Sequence, residues 1–135
     1  MTAMPHTACS LIRDAIDCVA REAPAAHARM RTALGPRAIE LALGDGTLQI
    51  RLDDAASSPP TIAARTSVDT LCALLAGELD LLEGVESLRL DVIGDADDLI
   101  AAGEAMTWFL QGAVRCLSIE PLADQLFALR NRGVS

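Results

Sequence analysis

The stretch TSVDTLCALLAGELDLLEGVESLRLDVIGD, residues 66–95, contains a helix start, a helix stop and a strand, and it decides the fold of the chain. Thr66 with Asp69 three positions later has the form of a capping box, in which a hydroxyl and a carboxylate satisfy backbone N–H groups that a helix start leaves unpaired. Leu71, Leu74, Leu75 and Leu79 then recur at helical spacing, and Gly77 supplies a residue that can end a helix in the left-handed conformation. A second helical turn, residues 81–85 with Leu82 in it, follows. From Leu88 the period changes to two, with Leu88, Leu90 and Val92 on one face and Arg89 and Asp91 on the other, so a half-buried strand is expected. Gly94 and Asp95 end that strand and begin a long helix.

Upstream, residues 7–34 carry one apolar stripe (Leu11, Ile12, Ala15, Ile16, Val19, Ala20). Pro24 divides it into two helices and Gly35-Pro36 stops it. Two runs of strict alternation come next, Ile39/Leu41/Leu43 and Leu48/Ile50/Leu52, separated by Gly44-Asp45-Gly46. Asp-Gly between alternating runs predicts a hairpin, because a tight turn needs positive φ at its centre. The intervening Glu40, Gln49, Arg51 and Asp53 are polar, so one sheet face is wet and the other carries helices. Residues 55–60, AASSPP, read as a loop, and residues 61–65 as a third strand.

Downstream, Asp95, Asp97 and Asp98 crowd the start of a helix running to about Cys116. Negative charge there is ordinary stabilisation, worth roughly 0.3 to 1 kcal/mol each, and with no second ligand cluster in the chain no metal is expected. Leu99, Met106, Leu110, Ala113 and Leu117 share one face of this helix. Trp108 lies about 180° from Leu99 at ~100° per residue, among Ala101, Ala105 and Gly112. That shallow face calls for a cover: the last amphipathic helix after Pro121, with Leu122, Leu126 and Phe127, or a second copy in a homodimer.

The composition excludes several function classes. The 135 residues are 51% hydrophobic with 2% aromatic residues and no tyrosine, enough for one aliphatic core. Net charge is −8, and all 11 basic residues are arginine, so no cluster could neutralise several phosphates and nucleic acid is excluded as a partner. Cys9, Cys18, Cys72 and Cys116 form no CxxC pair and no zinc spacing with His6 or His27, which leaves buried reduced thiols. Arg13, Asp14 and Asp17 interrupt the N-terminal apolar run, and no apolar span reaches about 18 residues, so neither a signal peptide nor stable membrane insertion is expected and a bacterial cytoplasm is. Phosphate loops, HExxH, GxSxG and Cys/His pairings are missing. No catalytic residue and no cofactor is therefore expected.

The same residues resemble the sterol carrier protein family, the small α+β lipid-transfer domains of the type-two class, from about residue 61 to 95. Leu71, Ala73, Leu74, Leu75 and Gly77 look like the family's Leu-Ala-Leu helix with its glycine stop, and Leu90, Val92, Gly94 and Asp95 like its next strand and Gly-Asp end. The resemblance implies a mixed or antiparallel sheet of four to five strands with helices on one face, enclosing an apolar tunnel for fatty-acyl or sterol-like ligands, with the C-terminal helix over one end. Val85 and Glu86 stand where the family has an aromatic pair, and residues 35–61 are too few for its three preceding strands. One domain is expected over 1–135: helical over 1–34, sheet and Leu-rich helices over 36–95, and helices over 96–131.

Two functions follow as expectations. The first is a non-enzymatic carrier of a fatty acyl, sterol-like or isoprenoid ligand held by Leu71, Leu74, Leu75, Leu79, Leu82, Val92, Leu99, Met106 and Leu110. Each buried CH₂ yields ~0.8 kcal/mol, so about fourteen methylenes give roughly 11 kcal/mol of gross driving force. The second is an accessory protein with a filled core, like the family's bacterial members that assist ubiquinone assembly.

Overall fold

The computed structural model describes residues 7–44, 46–53 and 59–132. Two helices open the chain, α1 (Ala8–Glu22) and α2 (Pro24–Leu34). Strands β1 (Ala38–Leu43), β2 (Gly46–Arg51) and β3 (Ile62–Thr66) follow, then α3 (Val68–Leu75), α4 (Leu81–Glu86), β4 (Asp91–Ile93), α5 (Ala96–Ala113) and α6 (Ile119–Asn131). Among the described residues this is an α+β architecture of six helices and one four-stranded mixed sheet.

The sheet order is β2-β1-β3-β4. β1 pairs antiparallel with β2, with Leu41 opposite Leu48, and parallel with β3, with Leu41 opposite Ala64. β3 pairs antiparallel with β4. The expected hairpin forms, although Asp45 of its turn and most of the AASSPP loop lie outside the described residues, as do His6 and both chain ends. Alternation works as the pleat requires: Ile39, Leu41, Leu43, Leu48, Ile62 and Ala64 are buried, while Glu40, Gln49, Ala63 and Arg65 face out. The buried face joins Leu11, Leu34, Val68, Ala102 and Leu126 of the helices in one core, so all of its cover comes from one side.

Four expectations are corrected. The helix start lies one residue beyond Thr66. Ser67 is the N-cap, its Oγ accepting from the Thr70 N–H at 3.1 Å, while the Thr66 hydroxyl ends β3 and donates to the Arg89 carbonyl at 3.0 Å. Asp69 sits in the first turn and meets Arg89 at 3.5 Å. The stop is as expected: Gly77 takes φ 76°, and the Glu78 N–H reaches back to the Ala73 carbonyl at 2.9 Å, a Schellman closure.

The fourth strand is shorter than its pattern. Leu88 is left-handed at φ 62° and 78% exposed, so it belongs to the turn after α4. Only Asp91–Ile93 pairs with β3.

α5 has two inward faces: Met106, Phe109 and Leu110 turn with Ala105 toward the main core, Gly112 and Ala113 turn toward the α1–α2 corner, and Leu99 and Leu117 of the expected stripe turn outward. Ala101, Ala102, Ala105, Gly112 and Ala113 are buried, Leu99 is 37% exposed, and Leu117, beyond the helix end, is 89% exposed. The cover over Gly112 and Ala113 is α2, which packs along α5, and not α6. A Cβ on Gly112 would stand 2.9 Å from both the Ala26 Cβ and the Val19 Cγ1, so the approach of α5 to the α1–α2 corner depends on that glycine. Small side chains bring two backbones close together, and tight contact along the helices replaces the bulk of larger residues. Trp108 is half-buried at this seam, with the Arg29 guanidinium 4.6 Å from its ring centre. α6 packs instead on α3 and α1, burying Leu126 in the main core with Leu122 and Phe127 beside it.

Candidate functional site

Between the helices and the covered face of the sheet lies an apolar chamber of about 130 Å³. Each wall follows from a local pattern. The α1 stripe contributes Leu11, Ile12, Ala15 and Ile16, and the inward positions of the hairpin contribute Ile39, Leu41 and Ile50. The C-terminal half of α3 turns Leu71, Leu74 and Leu75 toward it, α5 adds Met106, Phe109 and Leu110, and α6 adds Leu122 and Leu126.

Five of the residues picked out as ligand contacts therefore meet in one space: Leu71, Leu74, Leu75, Met106 and Leu110. The other four lie elsewhere. Leu79 is buried behind the α3 turn against the Gly84 backbone, Val92 packs at the edge of the sheet core, Leu99 stands at the rim beside Gly94, and Leu82 is exposed on α4. Of the residues picked out for an interface, Leu122 and Leu126 line the chamber, Phe127 packs against the core around it, and Trp108 faces the α2–α5 seam. Sequence does not single out α1 and the hairpin as contributors, because an inward stripe or alternation lines a filled core and a chamber alike.

Chemically the chamber is nearly featureless. Its side chains are aliphatic apart from Phe109, the Met106 thioether and the Thr66 hydroxyl, and that hydroxyl is already spent on the Arg89 carbonyl. Among the described residues no titratable side chain lines it. The nearby ionisable groups serve the frame. Arg37 Nε meets Asp98 Oδ1 at 2.7 Å, so one carboxylate of the α5 start ties that helix to the end of α2. The Glu22 carboxylate accepts from the Ser118 N–H at 3.2 Å, and hydrogen bonding from Ser118 holds its pKa below the usual value while joining α1 to the start of α6. Burial raises the Cys72 and Cys116 thiols, which keeps them protonated. His27 is lowered, chiefly by burial. No group of three His, Cys, Asp or Glu among the described residues is arranged to hold a metal ion. None of the described helices is long and apolar enough to cross a membrane.

The comparisons add one likeness. No family model matches the chain, and no curated protein does. Among solved structures it is similar to sterol carrier protein 2 like 2 from Aedes aegypti, at 19% identity, over 70% of this chain and 97% of that one, with a TM-score of 0.39. At that score the likeness bears no functional weight.

Proposed function

We propose that the chain binds and carries a hydrophobic ligand in this chamber, without chemistry on it, the ligand being the aliphatic part of a fatty acyl, sterol-like or isoprenoid lipid. The observation that carries the reading is the chamber's size together with its lining. Interiors pack to the density of organic crystals, with few voids larger than water. A void of 130 Å³ that side chains leave unfilled costs about 3 kcal/mol at ~24 cal/mol per Å³. An apolar guest recovers that energy, and a lining without a free donor, acid or nucleophile favours holding a guest over transforming it.

The volume also limits the guest. A dry cavity of ~150 Å³ holds benzene, so this one takes a ring or a few methylenes as it stands. A chain of about fourteen methylenes needs a wall to give way. α6 is the natural choice, since it contributes Leu122 and Leu126 to the lining and only Leu126 of it is buried. A charged or polar head finds no partner inside and stays at the opening.

Native mass spectrometry of the protein incubated with palmitate tests the reading. A one-to-one adduct is expected, lost in Leu75→Trp and in Met106→Trp while their circular dichroism remains native. The absence of any adduct, or one that both variants retain, would refute it.

A further inference from the structure

We propose that the groove between α4 and α5 docks an amphipathic, basic helix of a partner protein. This groove adjoins the chamber, with Leu81 in the lining of both. It measures about 510 Å³, and its floor is built by Leu82 and Val85 of α4 and Ile100 and Trp108 of α5. Leu82 is 67% exposed and Ile100 61%, a pair of large aliphatic side chains held in water on facing helices. Concave apolar ground of this kind marks interaction sites. Gly103 lies in the same floor, and a Cβ there would meet nothing within 4 Å, so the backbone is open to close approach. A short wall, α4, and a long one, α5, around an apolar trough suit a third helix that lays down anchors at i, i+3, i+4 and i+7.

Charge names the occupant. Glu104 lies in the groove itself, Asp97 stands on the same face of α5 one turn before Ile100, and Glu86 stands one turn after Leu82 on α4. None of these three carboxylates has an ion pair among the described residues. Asp80 and Glu83 add an exposed acidic pair at the start of α4 that shares one backbone N–H bond, Glu83 N to Asp80 Oδ1 at 2.8 Å. Among the described residues the groove's lining holds no cation, and the nearby Arg29 guanidinium is stacked on the Trp108 ring. A helix with an apolar stripe flanked by Arg or Lys fills the floor and neutralises the rim together. A second copy does not: it brings its own charge of −8, and a two-fold contact would set acidic rim against acidic rim. Anionic membrane surfaces and nucleic acids are repelled for the same reason.

Trp108, the single tryptophan, reports the event. The probe is a tryptophan-free peptide of about 18 residues with Leu at i, i+3, i+4 and i+7 and Arg on both flanks, with a twin carrying Glu flanks as control. Saturable blue-shifted emission is expected with the Arg peptide alone, weakening as salt rises. Ile100→Glu and Leu82→Asp, both at exposed positions, should each weaken binding at least about tenfold with native circular dichroism. Reversal of the rim in Glu86→Arg/Glu104→Arg should transfer preference to the Glu peptide, while Leu75→Phe in the chamber, which adds no tryptophan, leaves the affinity for the Arg peptide unchanged. Equal binding of both peptides, affinity indifferent to Ile100→Glu and Leu82→Asp, or a blue shift produced by protein concentration alone would overturn the proposal, the last by making a second copy the occupant.

Discussion

Replacing Ala105 with leucine tests the chamber by filling it from within. Ala105 is a buried residue of α5 that lines the space, and leucine is as good a helix former as the site requires. Three added carbons entering an apolar void contribute about 2.4 kcal/mol at ~0.8 kcal/mol each, less roughly 0.5 to 1 kcal/mol of side-chain ordering. A net gain of about 1.5 to 2 kcal/mol corresponds to a rise in Tm of roughly 6 to 8 °C for a chain of this length. The assay is a pair of thermal melts, each with and without palmitate. The wild type should gain stability with ligand, because a ligand at about a hundred times its Kd adds about 2.7 kcal/mol to a fold that alone binds it. Ala105→Leu should start higher and gain nothing. A Tm several degrees lower would mean that the added carbons strain a core already full, an effect worth about 1 to 3 kcal/mol, and the reasoning from an unfilled volume would fail. A raised Tm with undiminished ligand response would place the ligand elsewhere.

Two glycines on α5 should respond in opposite directions to alanine. Gly112→Ala, driven against Ala26 and Val19, should lose about 1 to 3 kcal/mol in urea unfolding, and Gly103→Ala, facing open space, should gain roughly 0.5 to 1 kcal/mol. Ser67→Ala should lose about 1 kcal/mol as the true N-cap of α3, measured the same way. His27 has a folded pKa below its usual 6.5 because burial disfavours the imidazolium. The unfolded chain therefore takes up the proton first, so stability is complete above pH 6.5 and is lost as pH falls from there through the folded value; His27→Gln should flatten that slope in melts across the window.

How far the fold could be read from the sequence depended on how local each signal was. The hairpin, the Pro24 division of the first two helices and the Gly77 stop are set by neighbours within a few residues, and each appears where the pattern puts it. Thr66 and Ser67 are both hydroxyl residues that could cap α3, and the choice rests on β3, whose pairing with β1 extends to Thr66 and leaves Ser67 as the cap. Leu88 keeps the alternation of a strand, yet α4 ends too close to it and the backbone must turn there through φ 62°. The inward face of α5 misled for a physical reason. Hydrophobic size points to Leu99 and Leu117, while α2 approaches along the face where Gly112 leaves room.

The chamber was legible only in part. Leu71, Leu74, Leu75, Met106 and Leu110 could be picked out because they lie on the inner faces of their helices. Whether inner faces meet side chain to side chain or leave a gap depends on the distances between elements, which periodicity does not encode. For the same reason Leu79 and Val92 joined the core while Leu82 turned out to the groove.

The central claim, that an apolar ligand enters this chamber, is tested most directly by methyl NMR of the chain titrated with palmitate. The account predicts a one-to-one change in the methyl signals of Leu75, Met106 and Leu126, with those of Leu82 and Val85 unmoved. Changes confined to Leu82 and Val85, or no change at saturating palmitate, would contradict it.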